Sequence, residues 1–164
     1  MEQVLDVAKY IVSEYQKVSG EIIDAMKLQK LLYYTLRESI AVAGEPMFDA
    51  IFEGWKYGPV CKMVWDAYAE NKLSNLHKPL SFDSKYIVNS IIHQYGVIES
   101  WELSNMSHRE VSWKNARIGL DKNENGTKPL SLSDIEFDAK KIRPYDHLWD
   151  MYYDEFDTVE CSAQ

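Results

Sequence analysis

Apolar residues recur at three- and four-residue steps through Val4, Val7, Ala8, Ile11, Val12 and Tyr15. That spacing lines one face of a helix and predicts an amphipathic helix ending near Gly20. From Ala25 the stretch AMKLQKLLYYTLRESIAVAG predicts a second helix, with Leu28, Leu31, Leu32, Thr35 and Leu36 on one broad side. Met26, Tyr33 and Ile40 widen its apolar surface, so this helix is expected at the centre of the core. Asp24 supplies an N-cap acceptor for its first amides, and Gly44 a C-cap.

The pattern then changes. MFDAIFEGWKY, residues 47–57, is short, aromatic and apolar, and predicts an extended segment. Gly58-Pro59 is expected to open a third helix, because proline suits the first helical position, where its missing N–H would be unpaired. Val60, Val64, Ala67 and Tyr68 would face inward, with Trp55 and Tyr57 anchoring the bend. Residues 71–82 form a loop, Asp83 or Ser84 caps a fourth helix carrying Ile87, Ile91 and Tyr95, and Gly96 ends it. A short helix runs through Trp101 and Leu103. Ser107 with Glu110, and Ser133 with Glu136, have the S-x-x-E spacing of capping boxes that open two more helices. A polar loop with an Asn-Gly turn spans 121–129, and YDHLWDMYYDEF, residues 145–156, is a final amphipathic piece. The expected fold is mostly α: one compact domain over residues 1–157 with about seven helices, at most a small β element near 48–57, and a frayed tail over 158–164.

Composition narrows the classes. A chain of 164 residues with 46% apolar and 13% aromatic residues has ample material for one globular core. No apolar run approaches the ~20 residues needed to span a bilayer. Glu2 and Asp6 stand where a signal peptide would be positive, so a cytoplasmic protein without membrane contact is expected. Cys61 and Cys161 have neither disulfide-framework nor metal-knuckle spacing. The formal net charge of −8 argues against nucleic-acid binding, which needs a concentrated basic face. Residues 132–164 hold nine acids against three bases, −6 of that −8, a field that a basic protein partner would feel or simply a solvated face.

Few residues carry a chemical signal. His108 and Glu110 form H-x-E, which in zinc deaminases accompanies a P-C-x-x-C pair; that pair is missing, and Glu110 has a role in the capping box. Trp113 and Arg117, four apart, share a helix face, so Arg117 either stacks on Trp113 or pairs with a carboxylate. Lys27 and Lys30 with Tyr33, Tyr34 and Arg37 make a basic aromatic strip, suited to phosphate or equally to lysines snorkelling around a buried helix. Cys61, one turn into a helix, is either a thiol lowered by the helix dipole, with His108 as its base, or a buried inert cysteine. P-loop, dinucleotide-fold, HExxH and G-x-S-x-G motifs are absent. No cofactor or metal is expected.

Four stretches are more specific together than singly: DVAKYIV (6–12), MKLQKLLYY (26–34), GWKYGPV (54–60) and SHREVSWKNAR (107–117). In this order and spacing the chain resembles the SocA-like antitoxin domain, also called Panacea, over roughly residues 5–118 and more loosely the final helix. The resemblance implies a mostly helical module, encoded beside a toxin gene, that neutralises the toxin by direct contact; one member instead delivers its toxin to the ClpXP protease. Gly54 stands where the family often has alanine, and Val111-Ser112 where it often has proline ahead of the tryptophan. The fused DNA-binding domain common at the N-terminus is missing, so autorepression by this chain is not expected.

The shared motifs are expected to build one core site from Lys27, Lys30, Trp55, Tyr57, Gly58, Pro59, His108, Glu110, Trp113 and Arg117, with variable loops and the acidic C-terminal quarter choosing the partner. Three functions stay open. The first is an antitoxin that occludes a toxin encoded by a neighbouring gene. The second is an adaptor carrying that toxin to a ClpXP-type protease. The third is an enzyme that reverses a toxin-made modification with His108, Glu110 and Arg117.

Overall fold

The computed structural model describes residues 1–74 and 78–142. The expected final helix over 145–156, the tail over 158–164, Cys161 and most charges of the acidic quarter lie outside the described residues. In chain order the elements are α1 (Val4–Ser19), α2 (Ala25–Ala43), β1 (Glu53–Trp55), β2 (Gly58–Val60), α3 (Lys62–Ala69), α4 (Phe82–Tyr95), α5 (Ser100–Ser107), α6 (Val111–Ala116) and α7 (Leu132–Lys140). The fold is mostly α, as expected, with seven helices and one two-stranded antiparallel sheet among the described residues.

Helix α2 is the hub. It packs against α1, α3, α4, α5, α7 and β2, and every residue from Lys27 to Ile40 is buried. Neighbours surround it and leave no face for water, so polar residues such as Gln29, Lys30 and Arg37 are enclosed along with the apolar ones. Leu28, Leu31, Leu32 and Tyr33 are wholly buried, each leucine contributing about 1.5–3 kcal/mol relative to exposure. Its ends follow from local chemistry: the Asp24 carboxylate accepts from the Lys27 N–H at 2.8 Å, and Gly44 closes the last turn through Ile40 O.

Three expected starts move. Gly58-Pro59 does not open a helix; it forms β2 and pairs back on β1, with Gly54 opposite Pro59 and Trp55 opposite Gly58. Proline is tolerated because Gly54 turns its polar groups away from β2, its N–H to Lys128 O and its C=O to Arg117. Ser81, not Asp83 or Ser84, caps α4 by accepting from the Ser84 N–H. Ser131, not Ser133, caps α7 by accepting from the Asp134 N–H. The Ser107–Glu110 capping box does not form. Ser107 ends α5 with its hydroxyl on Ser104 O, and the amides of Val111 and Ser112 that open α6 both donate to the Asp138 carboxylate of α7, at 2.9 Å each.

Candidate functional site

Lys27, Lys30 and Arg37 fall along α2 at near-helical intervals, and the sequence alone would put their charged ends in water. The structure buries all three: 7%, 1% and 7% exposed. Snorkelling therefore does not describe them, because α5, β2 and the segment at Gly96 close over the helix. Each cation meets a different fate. Lys27 Nζ donates to Gly96 O at 2.8 Å and Tyr15 Oη at 3.3 Å. Arg37 ion-pairs with Glu110, donates to Tyr95 Oη at 3.1 Å, and lies 4.5 Å over the Tyr34 ring.

Around Glu110 the polar groups are densely tied. Tyr33 Oη shares a 2.8 Å hydrogen bond with Ser112 Oγ, and Asp138 holds the start of α6. Burial, with Asp138 adding to it, pushes the Glu110 carboxyl above its usual range against the pull of Arg37. Glu110 is thus a core ion-pair partner. Asp138, Ser112 and Tyr95 completed this network unseen in the sequence, where Asp138 read as one more member of an acidic run.

Lys30 differs. Its Nζ donates to Pro59 O at 3.2 Å, and no carboxylate lies within ion-pair distance among the described residues. Burial holds its pKa down at about 7, with Asp24 pulling weakly upward. The hairpin reaches it only because residue 58 is glycine. At φ +113°, a Cβ there would stand 2.3 Å from Ser107 Oγ and 2.5 Å from Lys30 Cε.

Behind β1 runs a column of rings and charge. His108 stacks on Trp113 at 4.1 Å and 11°, and Arg117 lies 5.2 Å from the Trp113 ring centre. Trp113 Nε1 donates to Trp55 O at 2.7 Å. Among the described residues Arg117 takes no carboxylate; it donates to Gly54 O at 2.8 Å, Asp121 O at 3.2 Å and Glu124 O at 2.5 Å, clamping the 121–126 loop to β1. Gly54 permits this approach, since a Cβ there would sit 3.0 Å from Ala116 Cβ. Burial, then Lys30, lowers the His108 pKa, so its imidazole is neutral at pH 7. Its Nε2 is buried without a hydrogen-bond partner among the described residues.

Between the start of α2 and the hairpin opens a cleft of about 320 Å³, walled by Met26, Trp55, Tyr57, Val60 and Trp65 with Lys30 beneath. Trp55 and Trp65 meet at 5.3 Å, tilted by 59°. Trp55 is half-buried, while the Tyr57 ring is 54% exposed. Tyr57 therefore anchors the bend through its carbonyl, which accepts from Ser104 Oγ at 2.6 Å. Cys61 is the N-cap of α3 and buried; burial raises its thiol pKa, opposite to the activated alternative. Of the ten expected site residues, Lys30, Trp55 and Tyr57 line the cleft, Gly58 and Pro59 close over Lys30, and His108, Trp113 and Arg117 brace the hairpin from behind. Lys27 lies nearer the start of α2, and Glu110 is the N-cap of α6, against Arg37.

The model of the family described as antitoxin SocA-like, Panacea domain, matches residues 28–114, from the first turn of α2 into α6. The chain belongs to the SocA-like antitoxin family. It is also similar to the antitoxin SocA of Caulobacter vibrioides (strain NA1000 / CB15N), 33% identical over 70 residues. That match covers 43% of this chain and 31% of that antitoxin, so the chain aligns with less than a third of its relative's length. No solved structure matches. Within the Panacea region both departures have a structural reason. Gly54 makes room for α6, and Val111 and Ser112 supply the two N–H groups that Asp138 binds, one of which a proline would remove. Among the described residues no group of His, Cys, Asp or Glu is arranged to hold a metal ion, and no helix is long and apolar enough to cross a membrane.

Proposed function

We propose that this antitoxin-family chain neutralises a cognate toxin, encoded by a neighbouring gene, by binding it directly with the surface at the N-terminal end of α2. The observation carrying this reading is a set of exposed apolar side chains drawn to one place. Ser100 Oγ donates to the Asp24 carboxylate at 2.6 Å, Lys27 holds Gly96 O, and Ser104 holds Tyr57 O. These bonds bring Ile22, Val97, Trp101 and Tyr57 around the start of α2, with exposures of 77%, 84%, 64% and 54%. Clustered exposed apolar and aromatic groups mark interaction surfaces, whereas single ones are ordinary.

The geometry does not favour the enzyme reading. Glu110 is held by Arg37 on one side of α6, while Arg117 is spent on three backbone carbonyls. His108 faces a ring, so the three do not converge on a common substrate position. The experiment mixes purified chain with the neighbouring gene product in the absence of any protease. A stable one-to-one complex with loss of toxin activity is expected, of about 1,200–2,000 Å² buried. Protection found only in a host possessing a ClpXP-type protease, with no inhibition by the purified chain, would replace occlusion by proteolytic delivery.

A further inference from the structure

We propose that the cleft between the start of α2 and the hairpin is a binding site for a small aromatic carboxylate. Its ring would lie against Trp55, Trp65 and Met26, and its carboxylate on the Lys30 amine. Four features converge on this ligand class. The walls are apolar and two of them are indoles, which suits a flat ring. The volume of about 320 Å³ lies at the small end of the ~300–1,000 Å³ range of ligand sites, so a one- or two-ring molecule fits and a folded peptide element does not. Among the described residues none that lines the cleft is acidic, in a chain whose net charge is −8. Lys56, whose ammonium sits 5.1 Å over the Tyr57 ring, adds positive potential at the mouth.

The deciding feature is Lys30. An ammonium has three N–H donors, and among the described residues Lys30 finds one acceptor, Pro59 O, while being 1% exposed and lining an apolar cavity. Gln29, its neighbour in the lining, turns its amide to the backbone, holding both the N–H and the C=O of Cys61 at 2.8 and 3.2 Å. Of the cleft's donors, which also include Lys56 and Asn125, Lys30 is the buried cation. A buried ion pair gains little when both partners must leave water. Here the fold has already desolvated the amine, so an arriving carboxylate loses only its own hydration and gains a charge-assisted hydrogen bond. The pKa of about 7 means that Lys30 is partly neutral when the cleft is empty, and a bound anion would draw the proton onto it.

The cleft shares Tyr57 with the proposed toxin-binding face, but its test needs no partner protein, so the two readings fail separately. Calorimetric titration of the full chain with 2-naphthoate and with the uncharged 2-naphthamide separates recognition of the ring from recognition of the charge. The carboxylate is expected to bind about ten-fold tighter or more, the scale of a charge-assisted hydrogen bond. Lys30→Met, which keeps the side-chain length, should reduce that preference to within about two-fold, and Met26→Trp, which fills the cleft from α2, should abolish both. Equal affinity of the unaltered chain for the two probes, no binding of naphthoate, or a preference that survives Lys30→Met would each overturn the proposal.

Discussion

The two ends of α2 solve the same problem in opposite ways. At the C-terminal end Arg37 is buried beside a carboxylate, a tyrosine hydroxyl and an aromatic face, and Glu110 is in turn set among Tyr33, Ser112 and Asp138. Near the N-terminal end Lys30 is buried more deeply still, with one carbonyl among the described residues and an open cleft. A cation whose partners come from the fold braces the fold. One left short of partners under a cavity is a cost to stability that packing alone does not explain, and its use has to be sought in what enters the cavity. Two exposed aromatics, Tyr57 and Trp101, lie at this second end as well.

Removing a group at each end sharpens the contrast. Glu110→Ala strands the Arg37 guanidinium in the core and should cost about 3–5 kcal/mol in urea unfolding; a loss under about 1 kcal/mol would mean that water serves Arg37 equally well. Gly58→Ala forces an alanine into left-handed backbone against Ser107 and Lys30, with an expected cost of about 3 kcal/mol from strain and overlap together. A neutral result would place the hairpin further from Lys30.

Lys30→Met should act in the other direction, stabilising the chain by roughly 2 kcal/mol at pH 6. The gain depends on pH with a definite sign. The folded pKa of Lys30, about 7, lies below the ordinary 10.5. Between those values the unfolded chain binds the extra proton, so the parent's stability rises with pH across the window. The advantage of Lys30→Met should therefore shrink as pH climbs from 6 toward 10. An advantage constant with pH would show that Lys30 is not held near neutrality.

Helix α2 was legible because its signals are local: leucines at helical spacing, Asp24 three residues before the amide it caps, and Gly44 at the end. The second strand was not. Whether Pro59 opens a helix or sits in a hairpin depends on Gly54, whose N–H and C=O are taken by Lys128 and Arg117, far along the chain. The cap of α6 was hidden for a similar reason. Its acceptor, Asp138, is 27 residues from Val111, while the nearby Ser107–Glu110 spacing suggested a box that never forms. The site residues were visible as residue types, but their roles came from burial, which turned a lysine-arginine strip into three differently served cations.

The most direct measurement is the affinity of the chain for the toxin made by its neighbouring gene, compared between two double variants. Tyr57→Ala with Trp101→Ala should weaken the complex by about a hundred-fold, the range of paired aromatic hot spots, and leave the melting temperature unchanged. Phe82→Ala with Phe137→Ala, which removes equally exposed rings elsewhere on the surface, should change it by less than about two-fold. A toxin complex indifferent to the first pair, or no complex with the unaltered chain, would contradict the assignment of this end of α2 as the working face.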